Sequence, residues 1–161
     1  MLHKEIMSRG ENNMTDSELW TAFCKASKLP PSTPHEAWAF GGAPDQLAEL
    51  VLEGTKTATA SGYDLYALDD QEPMPQVGDY SVILDSKENA LCVIRTTALA
   101  VLPFSQVGAD QAWKEGEGDR SLDYWRQVHW DFFTEEYRRC GLTFMEESPI
   151  LCEKFELVYK P

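Results

Sequence analysis

The sequence predicts an α+β fold in which a block of consecutive strands curls into a small β-barrel flanked by helices. Three observations carry that prediction. Residues 79–85 (DYSVILD), 90–102 (ALCVIRTTALAVL) and 150–159 (ILCEKFELVY) are runs of β-prone residues. Apolar stripes at helical spacing stand before and after the first two runs. The strands come grouped rather than alternating with helices, which separates α+β from α/β layering. At 161 residues the chain is one domain in size, and a 43% hydrophobic, 25% charged composition is that of a globular chain rather than a disordered one.

The elements follow in order. Residues 1–13 (MLHKEIMSRGENN) carry little hydrophobic order and read as a flexible tail, ahead of a helical segment within residues 14–33. Thr15 followed three residues later by Glu18 is a capping signature, and Leu19, Trp20, Phe23 and Leu29 form the stripe behind it. Pro30 and Pro31 stop that helix, because proline cannot continue it and restricts the residue before it. A second helix is expected over residues 45–53, with Pro44 ahead of it and Gly54 behind. Residues 55–60 (TKTATA) are β-prone or irregular, residues 61–68 read as a helical turn, and Pro73, Pro75 and Gly78 mark a loop. Ser86-Lys87-Glu88-Asn89 joins the two central strands as a hairpin turn. After a closing turn at residues 104–107, residues 109–114 form a turn or short helix and residues 115–119 (EGEGD) a flexible loop. Ser121 caps the longest helix, residues 122–140, with Leu122, Trp125, Val128, Phe132 and Phe133 as its stripe.

Charge bounds the partners. Lys+Arg 14 against Asp+Glu 27 leaves a net charge of −13, the opposite of the basic face that duplex DNA requires. No apolar run approaches the roughly 20 residues of a membrane span, and residues 1–13 lack the pattern of a secretory signal. The expectation is a soluble, cytoplasmic protein with no membrane partner; its oligomeric state is left open. Cys24, Cys92, Cys140 and Cys152 are scattered without a CxxC pair, so they are read as buried free thiols, and no metal or cofactor is expected.

Three groups of residues can carry chemistry. Gly54-Thr55-Lys56-Thr57-Ala58-Thr59 offers close backbone approach, a point charge and hydroxyls, yet lacks the first glycine of a P-loop. The same residues also fit a solvated loop at a strand start. Glu115-Gly116-Glu117-Gly118-Asp119-Arg120-Ser121 places carboxylates in a glycine-rich loop, where they suit a general base or, equally, a mobile connector at a helix N-terminus. It is not a calcium loop, because the downstream ligand spacing is absent. Trp38 and Phe40, in the glycine-rich stretch 37–43, suit a pocket wall on which a nucleobase stacks, whereas Trp125, Phe132 and His129 sit at spacings that suit a helix core.

Taken together, these segments resemble the ASCH (ASC-1 homology) domain family, in its bacterial branch of about this size. The resemblance rests on Trp38-Ala39-Phe40-Gly41, on the GTKTAT segment, on Pro75-Gln76-Val77-Gly78-Asp79-Tyr80-Ser81-Val82, and on the EGEGDRSL segment followed by Trp125 and His129. It covers about residues 34 to 160. It implies a PUA-like β-barrel with a cleft beside the GxKT segment, in proteins proposed to bind RNA or nucleotide-like ligands, some similar to amidohydrolases acting on acylated cytidine and others assigned ribonuclease activity. The resemblance puts Lys56 and Thr59 in the lysine and threonine roles of the amidohydrolase site, with the glutamate falling on Glu115 or Glu117. It makes Trp38, Phe40, Gly54, Thr57 and Arg120 candidate ligand contacts. Many members carry an arginine shortly after the last threonine; here Ala60-Ser61-Gly62-Tyr63 follows, which weakens any case for gripping a phosphate.

Three functional readings follow. As an enzyme, Thr59 attacks an amide carbonyl, Lys56 activates it and a glutamate passes the proton to the leaving amine. As a binding module, the cleft holds a nucleobase or RNA end, with Lys56 on a phosphate. As a ribonuclease, Lys56 stabilises phosphorane charge. The acidic balance argues against long RNA and fits a nucleoside-like small molecule better, with short RNA as the other expected partner. Lys56→Ala is expected to abolish function without unfolding the chain.

Overall fold

The computed structural model describes residues 13–69 and 72–161, so all but the last residue of the expected tail lies outside the described residues. Four α-helices pack on a five-stranded mixed sheet: α1 (Asp16–Ser27), α2 (Pro44–Leu52), α3 (Ala109–Glu115) and α4 (Leu122–Arg139). The strands are β1 (Glu36–Trp38), β2 (Ala58–Gly62), β3 (Tyr80–Leu84), β4 (Ala90–Pro103) and β5 (Pro149–Tyr159), in spatial order β1-β3-β4-β5-β2. Among the described residues only the β1–β3 pair is parallel. Long β4 and β5 run antiparallel with register breaks at Val93/Ile94 and Thr96/Ala98. Bulges of this kind bend and twist a ladder, which coils the sheet into a half-barrel and leaves β1 and β2 as its two edges.

Local chemistry accounts for the helices. Thr15 closes a capping box on α1, its hydroxyl accepting from the Glu18 N–H and its own N–H donating to Glu18 Oε2, both at 3.2 Å. Pro44 opens α2, and Gly54, at φ +82°, turns the chain out of it toward β2. Ser121 caps α4 by accepting from the Tyr124 N–H. Leu19, Trp20 and Phe23 of α1 pack on Val82 and Val93, while α2 buries Ala48 and Val51 against Ile83, Ile94 and Phe155. Trp125, Phe133 and Tyr137 of α4 cover Phe104, Phe144 and Ile150.

Four expectations need correction. The stretch holding Trp38 contains a three-residue strand, β1, too short for its periodicity to register. The segment 61–68 divides, since β2 runs to Gly62 before a 3-10 turn over Tyr63–Ala67. On α4 the inward line is Trp125, His129, Phe133 and Tyr137, a strict four-residue step; Val128 and Phe132 are 36% and 37% exposed. Cys24, Cys92 and Cys152 are buried free thiols, whereas Cys140, in the turn after α4, is exposed. Among the described residues no helix is long and apolar enough to cross a membrane.

Candidate functional site

The GTKT segment is pinned by its backbone before any side chain acts. Thr55 and Lys56 both donate their N–H groups to the Leu50 carbonyl at the end of α2, at 2.9 and 3.0 Å. Thr57 then donates to the Lys114 carbonyl at 2.7 Å and accepts from the Phe155 N–H at 3.0 Å. The segment is thus held between the ends of α2 and α3, and the Lys56 side chain has one way to go, which is inward. Lys56 is 1% exposed.

Its ammonium group meets a carboxylate cluster. Nζ lies 3.5 Å from Glu115 Oε1, 3.3 Å from Glu117 Oε1 and 3.4 Å from the Glu115 carbonyl, with the Phe40 ring centroid 5.3 Å away. Gly116 makes the double approach possible. Its φ of +75° reverses the chain between the two glutamates, and a Cβ there would stand 2.8 Å from the Thr55 carbonyl oxygen. Glu115 is fully engaged: Oε1 also faces His129 Nε2 at 3.4 Å, and Oε2 accepts from Trp125 Nε1 and from Gln111 Nε2, the latter at 3.2 Å. Burial alone would push Glu115 up; the His129 hydrogen bond and the Lys56 charge overrule it and hold the carboxyl below its ordinary range.

The surroundings of His129 favour its cationic form. Its Nδ1 lies 2.8 Å from the Trp125 carbonyl and its Nε2 faces a carboxylate, and both partners only accept. Burial would depress its pKa, but Glu115, seconded by Glu117, raises it above the ordinary value. The cluster therefore sets Lys56 and, once protonated, His129 against Glu115 and Glu117. The ligating atoms of Glu115, Glu117 and His129 lie within 4.8 Å of one another, a spacing open to a metal ion, but the Lys56 ammonium already fills the cation's place between the carboxylates.

Beside this cluster, a cavity of about 830 Å³ opens between the two edge strands. Trp38 and Phe40 line it from the β1 side, Thr59 and Ser61 from β2, and Tyr66 and Glu153 complete its polar wall. Trp38 and Phe40 meet edge to face at 4.9 Å. Ser61 Oγ and Tyr66 OH share a hydrogen bond at 2.9 Å, and Thr96 donates to Glu153 Oε1 at 2.6 Å. Among the described residues, the cavity wall includes six carboxylates, Glu36, Asp69, Glu72, Asp79, Glu136 and Glu153, and no lysine or arginine. Two contacts join cavity and cluster: Phe40 touches both, and Gln111 Nε2 donates to the Thr59 carbonyl at 3.1 Å as well as to Glu115.

The structure thus gathers Lys56, Glu115 and Glu117 into one buried group, and places Thr59, Trp38 and Phe40 on the cavity. It does not bring Gly54, Thr57 or Arg120 to that cavity. Gly54 is exposed in its turn, and Thr57 serves through its backbone. Arg120 lies over the Trp113 ring at 3.7 Å and donates to the carbonyls of Trp113 and Thr55. Sequence reasoning missed Gln111, Ser61, Tyr66 and Glu153. The last had a signal, a carboxylate inside the apolar run ILCEKF, and Thr59 and Ser61 stand two apart on one face of a strand.

Comparison with known proteins gives a consistent result. A family model described as ASCH domain matches residues 36–159. The crystal structure of an ASCH domain from Lactobacillus crispatus JV V101 superposes with a TM-score of 0.77 at 28% identity, covering 92% of this chain and 98% of that one. A protein from Enterococcus faecalis V583 gives a TM-score of 0.77 at 35% identity, covering 87% of this chain and 85% of its own. No curated protein matches with significance.

Proposed function

The chain belongs to the ASCH domain family, commonly RNA-binding or hydrolase-like, and from that premise we propose that it binds a nucleoside-like small molecule between β1 and β2 and hydrolyses an acyl amide carried by it. The observation that carries this reading is the cavity itself. Its 830 Å³ lies within the range of small-molecule sites, and both aromatic and hydroxyl-bearing residues line it. The six carboxylates on that wall, with no lysine or arginine among the described residues lining it, repel a phosphodiester chain and tolerate an uncharged nucleoside. Lys56 cannot serve as a phosphate clamp, because it is buried and engaged by Glu115 and Glu117.

Thr59 supplies the nucleophile in this reading. Its oxygen bonds to the amide carbon, the C–N bond breaks and the amine leaves with a proton, after which water hydrolyses the acyl-threonine ester. The Lys56 cluster acts as a positioning unit, fixing the β2 start through Gln111 and the backbone of residues 55–57. Titration calorimetry with nucleosides, N-acyl nucleosides and a short oligoribonucleotide, joined to a chromatographic assay of deacylation, tests it. Wild type should bind the nucleosides and release the amine, Thr59→Val should bind without turnover, and Trp38→Ala should weaken binding about tenfold or more. Tighter binding of the oligoribonucleotide, with a steep salt dependence, would replace this reading with an RNA-binding one. Binding without turnover by wild type would leave a ligand-binding module.

A further inference from the structure

Both carboxylate oxygens of Glu115 are already engaged, Oε1 by Lys56 and the facing His129 ring, Oε2 by Trp125 and Gln111. Glu117 is turned to the same ammonium group. Neither is among the residues lining the cavity. The carboxylate that shares the cavity with Thr59 is on the neighbouring strand: Thr59 and Glu153 are directly opposed in the antiparallel β2–β5 ladder. Opposed residues present their side chains on the same face, with Cβ atoms about 4.5–5.5 Å apart, and both of these line the cavity. We propose that Glu153 is the general base of the reaction assigned above, taking the Thr59 hydroxyl proton and handing it to the leaving amine.

Its surroundings fit that work. Glu153 is 7% exposed, and Thr96 holds one of its oxygens at 2.6 Å, fixing the carboxyl's rotation. Among the described residues no hydrogen bond is made to its other oxygen, which leaves that atom for Thr59. Burial, with the Asp79 charge beyond, pushes its pKa above the ordinary carboxylate value despite the Thr96 hydrogen bond, and a carboxylate so raised is a stronger base. The step balances. As Thr59 Oγ bonds to the acyl carbon, its proton passes to Glu153; as the C–N bond breaks, the same proton goes to the nitrogen, and the carboxylate is regenerated. Water then attacks the acyl-threonine ester by the same relay, returning the hydroxyl and releasing the acid.

The proposal rests on the deacylation reading, and the experiment separates the two. Steady-state kinetics on an N-acyl nucleoside are measured across pH for wild type, Thr59→Val, Glu153→Gln and Glu153→Ala, with calorimetric binding beside each. Gln keeps an acceptor for Thr96, so E153Q is the variant expected to fold. It should lose about 100-fold or more in kcat, with binding within about threefold of wild type and the acidic limb of the pH profile gone. Added formate should restore part of the activity of E153A, which a packing role does not allow. If E153Q keeps kcat within about threefold of wild type while T59V is dead, Glu153 is not the base and the deacylation reading stands. Glu153 is likewise excluded as the base if E153Q loses kcat but keeps its acidic limb. If wild type releases no amine, both fall together.

Discussion

His129 stands between two acceptors, the Trp125 carbonyl at 2.8 Å from Nδ1 and Glu115 Oε1 at 3.4 Å from Nε2, so the last residue of α3 favours the cationic form of the buried α4 ring. This relationship predicts the pH dependence of stability. A raised imidazole pKa contributes stability that is complete below the ordinary value of 6.5 and is lost as pH rises through the folded value above it. A lowered Glu115 pKa contributes stability that is complete above 4.5 and is lost as pH falls through the folded value beneath it. Between those two ordinary values both contributions are in full. Glu153, whose pKa is raised, contributes stability that is complete below 4.5 and is lost as pH rises through its folded value, so it slopes that window downward toward the alkaline side. Urea unfolding of wild type and His129→Gln should therefore be compared by difference. The gap between them should narrow as pH rises above 6.5 through the folded value; a gap that stays constant would mean that His129 is uncharged.

Burial changes what Lys56→Ala can report. The residue is 1% exposed, and deleting its charge leaves the equally buried Glu115 with His129, Trp125 and Gln111 as partners and takes from Glu117 its cation. Breaking a buried pair from one side costs about 3–5 kcal/mol, so the alanine variant should be markedly less stable, contrary to the expectation of a silent loss of function. Lys56→Met combined with Glu115→Gln should recover at least half of the loss, since it removes both charges and keeps the volume. Thermal melts of the single and double variants decide the matter. Equal melting temperatures for Lys56→Ala and wild type would contradict the pairing.

Gly116→Ala should be nearly as damaging, for a different reason. The substitution puts a side chain at φ +75° and its Cβ 2.8 Å from the Thr55 carbonyl, a backbone atom that cannot swing away. A cost of about 1–3 kcal/mol is expected, read as a fall in melting temperature of roughly 2–4 °C per kcal/mol. Gly54→Ala, at a similar positive φ but with open space around it, should cost less. If the two variants melt together, the close approach of the two loops does not constrain the site.

Much of this architecture was legible in the chain, because local signals and tertiary demands agreed there. Thr15 with Glu18 marks the start of α1, Pro44 and Gly54 bracket α2, and the runs that became β3, β4 and β5 lie nearly where the residues put them. The failures have physical causes. The inward stripe of α4 includes His129, a polar residue drawn in by Glu115, and so the apolar pattern pointed to Val128 and Phe132 instead. β1 is three residues long and is held in place by parallel pairing with β3, which no local pattern records. Residue types identified Lys56 and the glutamates as candidates, but not that their charges are matched to one another across a separation of 59 and 61 residues. Nor did any motif point to Glu153, whose relation to Thr59 exists only in the β2–β5 register.

Arg120 supplies the last prediction, because it joins two opposing effects at one position. Its guanidinium covers the Trp113 ring at 3.7 Å and its Nε donates to the Trp113 carbonyl at 2.9 Å, bracing the loop that carries Glu117. The same residue sits at φ +64°, where any side chain is strained. Arg120→Ala loses the brace and keeps the strain; Arg120→Gly loses the brace and relieves it. A stacked cation on an exposed tryptophan contributes about 0.5–1 kcal/mol, and glycine at a positive φ recovers a similar amount. Arg120→Gly should therefore melt above Arg120→Ala and close to wild type. Both variants should bind the cavity's ligand within about twofold of wild type, since neither changes a residue of the cavity wall. A loss of binding in Arg120→Gly with an unchanged melt would return Arg120 to the ligand site.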